Sequence, residues 1–225
     1  MFSSSAPKTA KSERTSARIR DTALRSFRER GYDATTVRAI AAEAGVSVGV
    51  LNYHFPSKNH LVQELYVQVQ EAHRQAAAPA LAASDDLIDR LRAVFATGLD
   101  GLSPYHAHAP EFLAAAVSPR SPVNPFAEDS APALAIVESL FREAVDGADT
   151  TLPDELTAAL PRALVVGHLL LALFWVYDRS PQQRKTRLLL DHGLRLLRTA
   201  LPLARIPLLR RPLQDLLALI ADARG

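Results

Sequence analysis

Between Val48 and Phe55 the chain reads VGVLNYHF, and two of these side chains have the chemistry to read a base edge. The Asn52 amide offers a donor and an acceptor spaced to pair with the N6/N7 edge of adenine, and the Val48 isopropyl group suits a thymine methyl. Gly49 lets a helix carrying both approach closely. Val48, Gly49 and Asn52 are therefore the candidate base-reading residues. Hydroxyls at helix starts, with the free amides beside them, hold phosphates. Thr36 and Ser47 stand at such positions.

For these groups to share one outer face, the residues between them must be buried. The spacing predicts two short helices joined by a tight turn. The first runs from about Val37 to Ala44 with Ile40 and Ala41 inward, and Thr36 caps it. Gly45 takes the left-handed conformation that ends it, since no Cβ opposes positive φ there. Ser47 caps the second, Val48 to Phe55, which buries Leu51 and Phe55 and leaves Val48, Asn52 and Tyr53 outward. That is the form of a helix-turn-helix built to enter the major groove. A helix from Ser12 to Arg30 precedes it, with Ile19, Ala23, Leu24 and Phe27 apolar and Arg14, Arg18, Arg25 and Arg28 off the stripe; Gly31 stops it. Pro56-Ser57-Lys58 then restarts the chain: Ser57 caps a run to about Ala78 with Leu61, Leu65, Val69 and Ala72 inward. Lys58 in the first turn opposes the helix dipole, a mismatch that a nearby phosphate resolves.

The segment resembles the N-terminal domain of TetR-family transcriptional repressors at Gly31, Tyr32, Thr35, Thr36, Ile40, Ala41, Ala44, Gly45, Val46, Ser47, Gly49, Leu51, His54, Phe55, Ser57, Lys58 and Leu61. It departs at Val48, where a polar residue is frequent, and at Asn52, where an aromatic usually stands. The resemblance covers about residues 12–65. It implies that Tyr53, His54 and Lys58 join Thr36 and Ser47 on phosphates, with inter-helix packing the other reading for His54. It further implies repression relieved by an unknown small-molecule effector bound in a C-terminal domain, and a four-helix bundle between two subunits.

Charge agrees with a DNA-binding end. Residues 1–60 hold ten Lys or Arg against five Asp or Glu, and the rest sixteen against nineteen, so +5 faces −3. A basic end on the motif is what phosphate neutralisation requires. Cysteine is absent, which fits a reducing cytoplasm. The N-terminus lacks the apolar core of a signal peptide. The apolar run Ala163 to Tyr177 falls short of the ~20 residues a bilayer demands and reads as a buried helix. No membrane partner is expected.

The fold class expected is all-α: a disordered basic arm (1–11), a three-helix helix-turn-helix domain (12–60) and a larger helical effector-binding and dimerisation domain (61–225). Its helices are expected at about Asp85–Leu102, Pro110–Val117, Pro132–Val145, Pro153–Asp178, Pro181–Leu201 and Pro207–Ala223, with Pro161 kinking the fourth or marking its start. Ser118 to Pro132 reads as a mobile or irregular connection. Base reading by one helix is too weak alone, so a homodimer on double-stranded operator DNA is expected. Its candidate interface is Val166, Leu170, Phe174, Leu190, Leu194 and Leu197. Candidate effector-pocket residues are Tyr105, Phe112, Phe141, His168, Trp175 and Tyr177, with His106, His108, Phe126 and Phe174 as further aromatic or imidazole groups.

No Gly-rich phosphate loop, G-x-S-x-G, H-E-x-x-H or carboxylate pair appears, so no catalytic residues, metal or cofactor are expected. His106-x-His108 has a metal-like spacing, but without acid or thiol partners it reads as two loop histidines. The competing functional reading is a helical ligand-sensing or interaction module that keeps this fold without operator binding.

Overall fold

The computed structural model describes residues 10–150 and 152–205, together with Pro212, Asp215 and Leu219. Nine α-helices and no strand occur among the described residues, as the all-α reading expects. They are α1 (Ala10–Ala34), α2 (Val37–Glu43), α3 (Val48–His54), α4 (Lys58–Ala82), α5 (Leu87–Leu102), α6 (Ala109–Ala116), α7 (Ala131–Asp146), α8 (Asp154–Tyr177) and α9 (Arg184–Ala200). Residues 1–9 of the expected arm and the expected helix Pro207–Ala223 lie outside the described residues, save the three named. Lys11 already belongs to α1.

Two apolar cores organise the chain. In the first, Ile19, Ala23 and Phe27 of α1 meet Ile40 and Ala41 of α2, Leu51 and Phe55, and Leu61, Val62 and Leu65 of α4. This core reaches past the expected boundary at residue 60, because Ala116 and Val123 are buried in it and Phe112 packs against it. The second core joins the far half of α4 to α5, α7, α8 and α9 through residues such as Leu91, Val94, Phe95, Phe141, Val165, Leu171 and Leu194. Each fully buried large apolar side chain contributes about 1.5–3 kcal/mol.

Helix α4 spans both cores. Its inward residues step by four, from Leu61 and Leu65 to His73, Ala77 and Leu81. A four-residue step drifts around a 3.6-residue helix, so His73 takes the inward place expected of Ala72, which is exposed. Ser57 occupies the N-cap position but makes no cap bond; its Oγ lies 2.8 Å from His60 Nδ1.

The second core holds two buried charged groups. Arg90 donates Nε to the Ala144 carbonyl at 2.8 Å, Nη2 to Glu143 at 2.7 Å, and Nη1 to Ser84 at 2.8 Å and to Leu81. One guanidinium thus satisfies carbonyls at the C-terminal ends of α4 and α7, where its charge also suits the helix dipoles. The Asp178 carboxylate accepts the backbone N–H and Oγ–H of both Ser180 and Thr186, at 2.6–2.9 Å. Burial works to raise its pKa, but these four bonds hold it well below the usual carboxylate range.

Helix α8 begins at Asp154 and continues through Pro161, so Pro161 does not mark its start. At 24 residues it is long and apolar enough to cross a membrane, contrary to the sequence expectation, yet it packs on α7 and α5 through Leu160, Leu164, Val165 and Leu171. Its other face, Leu170, Leu173, Phe174 and Tyr177, is 40–70% exposed. The connection after α6 is irregular but anchored: Asn124 bonds Ser118 and Phe126, Ser130 Oγ bonds Asn124, and Tyr66 donates to the Val123 carbonyl.

Candidate nucleic-acid interface

The helix-turn-helix forms as its spacing predicts. Thr36 Oγ1 accepts the Ala39 N–H at 3.1 Å and Ser47 Oγ accepts the Val50 N–H at 3.2 Å, so both short helices carry side-chain caps. Gly45, at φ 64, makes the turn between them. Leu51 is fully buried and Phe55 nearly so, which fixes the rotation of α3. Val48, Gly49, Asn52 and Tyr53 consequently face outward together, Tyr53 at 80% exposure. Thr36 and Ser47 are exposed on the same unit. Val50, 41% exposed, joins this surface and was not expected there.

His54 and Lys58 are less free. His54 is half-buried, its ring lies 5.2 Å from that of Tyr53, and its Nδ1 is buried without a partner. That geometry favours the packing reading for the ring. Lys58 Nζ donates to the Tyr32 carbonyl and sits 3.8 Å from the centroid of the Tyr32 ring. Its partial burial lowers its pKa, with Asp33 and Glu111 acting in opposition. The cation placed against the helix dipole is therefore held by the turn before α2. An ammonium has three donors, of which the Tyr32 carbonyl takes one.

Ion pairs lock the unit. Arg25 and Arg30 both bind Glu43, at 2.8 and 2.6 Å, joining α1 to α2, and Arg20 binds Glu64 at 2.6 Å. The hydrogen bonds from Arg30 and Arg25 hold the Glu43 carboxyl below its ordinary pKa. Arg14, Arg18, Arg28 and Arg38 make no ion pair among the described residues and remain available to anions.

The expected pocket residues fall into three places. Phe141 and His168 do meet in the second core, where His168 stacks on His73 and touches Phe95. Trp175 lies nearby at the end of α8, edge-on to His106, whose Nε2 donates to the Trp175 carbonyl at 3.0 Å. Phe112 and Tyr105 do not belong with them: both pack on the helix-turn-helix core, Phe112 edge-on to Phe27 and Tyr32. Tyr177 is 70% exposed and lines no interior, and Phe126 is exposed as well. His108 Nδ1 lies 3.1 Å from Glu111 Oε1, so the two histidines have separate partners. His73 and Arg90 escaped the sequence reading, because a lone histidine or arginine in an amphipathic helix carries no signal of burial.

The expected interface set needs similar correction. Leu170 and Phe174 are exposed and Val166 is half-buried, but Leu190 and Leu194 are buried in the chain's own core and Leu197 packs against it. Leucines recur on more than one face of α9, so periodicity alone selects the wrong ones; Leu188, Leu189 and Leu196 face outward instead.

A capped pair of short helices around a glycine turn, with Val48, Asn52 and Tyr53 on the outer face of the second, defines a helix-turn-helix protein of the nucleic-acid-recognition class. Residues 19–65 match the family model of bacterial regulatory proteins of the tetR family, and residues 90–217 match that of a tetracyclin repressor-like C-terminal domain. The chain belongs to the TetR family. Among curated relatives, the HTH-type transcriptional repressor KstR2 of Rhodococcus jostii is 37% identical over 87 residues, 39% of this chain and 36% of that protein; the match spans about a third of the relative's length. Among solved structures, Thermus thermophilus FadR, a TetR-family transcriptional repressor in complex with lauroyl-CoA, aligns over 81% of this chain and 92% of its own with a TM-score of 0.61 at 23% identity. The multidrug binding protein EbrR, complexed with proflavin, aligns over 79% and 98% with a TM-score of 0.53 at 25% identity.

Proposed function

We propose that this chain is a homodimeric, cytoplasmic transcriptional repressor that binds operator DNA through α3 and leaves it when a small-molecule effector enters the second core. The observation that carries the reading is the joint exposure of Val48, Gly49, Asn52 and Tyr53 on a helix whose rotation is set by buried Leu51 and Phe55. Val48, Gly49 and Asn52 are assigned to bases, and Thr36, Ser47, Tyr53 and Lys58 to phosphates; the buried, unpartnered Nδ1 of His54 argues for packing at that position.

Dimerisation is supported by an apolar face that the described residues leave uncovered. Leu170, Leu173, Phe174 and Tyr177 recur at one helical face of α8, and Leu188, Leu189 and Leu196 on α9 are also exposed. Patches of this kind mark association surfaces. For the effector, support comes from the aromatic and imidazole cluster of Phe95, Phe141, His73 and His168, and from the proflavin held by the related EbrR. The test is a gel-shift titration against the DNA flanking its own gene, repeated over a salt series. The expected result is a shift whose affinity falls steeply with salt. Absence of a salt-sensitive shift at every flanking site would leave the competing reading, a helical sensing module without operator binding.

A further inference from the structure

Helix α6 and the 3₁₀ turn that leads into it, Ser103–His108, follow α5, well beyond the helix-turn-helix in sequence, but pack on its core. Most of this contact is apolar: Phe112 sits edge-on to Phe27 and to Tyr32, each at 5.7 Å between centroids. One contact is different. The Glu111 carboxylate reaches across and accepts the backbone N–H of Asp33 at 3.0 Å, while its other oxygen lies 3.1 Å from His108 Nδ1. The bond from Asp33, and next that from His108, hold its pKa below the ordinary carboxylate value, so it is ionised where it works.

The turn it grips is Gly31–Ala34, the end of α1, where Gly31 departs from helical backbone angles. Gly31 has φ 79, and a Cβ there would strike both the Glu111 carboxylate and the His108 ring. Glycine is thus required by the backbone and by the approach of the carboxylate. Thr35, fully buried, ties the same turn to α1: its Oγ1 donates to the Gly31 carbonyl at 2.7 Å and lies 2.9 Å from Ser26 Oγ. Between these two anchors stands Tyr32, whose carbonyl and ring together hold the Lys58 ammonium.

We infer that Glu111 is a positioning residue for DNA binding: by clamping the Asp33 N–H it fixes Tyr32, and Tyr32 in turn presents Lys58 to the phosphate backbone. The inference rests on the assignment of Lys58 to a phosphate. It makes the segment between α5 and α7 a direct contributor to the geometry of the DNA-binding unit. At the other end of the same segment, His106 bonds the Trp175 carbonyl at the end of α8. The segment Ser103–Ala116 therefore touches the end of α8 at one side and the turn that holds Lys58 at the other.

A carboxylate beside a DNA-binding surface, acting only as charge, repels phosphates, and its removal raises affinity. A positioning carboxylate has the opposite effect, which separates the two. Fluorescence anisotropy of the full-length protein on a duplex of about 30 base pairs from its own upstream region, and on a random duplex of that length, reads the difference. Glu111→Ala is expected to weaken both by about tenfold and to lower the salt slope by about one per subunit, as Lys58→Ala does. The double variant should be no worse than either single one. Glu111→Gln, which keeps an acceptor oxygen, should stay within about twofold of the parent. If Glu111→Ala does not fold, Glu111→Asp, one methylene too short for the Asp33 N–H, reads the same effect. Unchanged or tighter binding by the Glu111 variant, with the parental salt slope, overturns the inference while Lys58→Ala still shows its own loss. A parental slope in Lys58→Ala removes the phosphate assignment and the inference with it.

Discussion

The imidazole of His168 stacks on that of His73, with centroids 5.8 Å apart and planes 15° from parallel. The two rings come from α8 and α4, so the contact joins the helix with the exposed apolar face to the helix that spans both cores. His73 has a firm partner: Nε2 donates to the Val94 carbonyl at 2.7 Å, and Nδ1 lies 3.0 Å from Gln70 Oε1. His168 Nδ1 is buried without a partner.

This pair makes stability depend on pH. Burial, and then the neighbouring His73, lower the His168 pKa from the usual 6.5 to about 3. Burial also lowers that of His73, against the hydrogen bond to Val94. Between pH 6.5 and about 3 the unfolded chain takes up a proton on His168 that the folded chain refuses. The stabilisation is complete above the unfolded value and is lost as the pH falls. Each such ring costs about 1.4 kcal/mol per pH unit below that value. Urea unfolding at pH 7.5 and 5.5 should therefore show a lower midpoint in acid, and His168→Leu should show a smaller drop. An equal drop in parent and variant would place the acid sensitivity elsewhere.

Arg90 is a structural keystone of the second core. Its fork satisfies carbonyls at the ends of two helices at once, which a lysine ammonium on a different stem geometry does not reproduce. Arg90→Met strands buried carbonyls at a cost of about 1–3 kcal/mol each and is expected to destabilise by about 3 kcal/mol or more. Arg90→Lys should recover only part of that. Chemical denaturation measures both; a methionine variant within 1 kcal/mol of the parent (about the worth of one ordinary hydrogen bond) would show that water replaces the guanidinium.

On the recognition helix, Asn52→Ala should weaken specific binding by about 1–3 kcal/mol and relax the preference at one position per half-site. Anisotropy on a set of singly substituted operators checks this. Equal losses on operator and random duplex would move the base contact away from Asn52.

What could be read without coordinates follows the range of each interaction. The caps at Thr36 and Ser47 and the turn at Gly45 depend on neighbours within four residues, and the i, i+4 spacing of Leu51 and Phe55 marks the buried face of α3, so the sequence shows them directly. Glu111 and Asp33 are 78 residues apart, and nothing local to either marks the bond. Phe112 looks like any pocket aromatic until α6 is seen to pack on α1. In α9 the difficulty is composition: with leucine at 188, 189, 190, 194, 196 and 197, several faces look equally apolar, and only the packed helix separates buried Leu190 and Leu194 from exposed Leu188 and Leu196.

The same distinction decides how the dimer is tested. Leu171 is 7% exposed and packs in the second core, so a charge there reports on folding and says little about association. Its neighbour Leu170 is 61% exposed, and an arginine at that site meets solvent in the monomer but apolar surface in the proposed dimer. Leu170→Arg is therefore expected to leave thermal stability of the isolated subunit intact while sedimenting as a monomer. Operator affinity should fall at least tenfold, because two half-sites are no longer bound together. Leu196→Arg on α9, 70% exposed, should act in the same way if the face extends across both helices. Two variants that still sediment as dimers at micromolar concentration would place the interface away from α8 and α9.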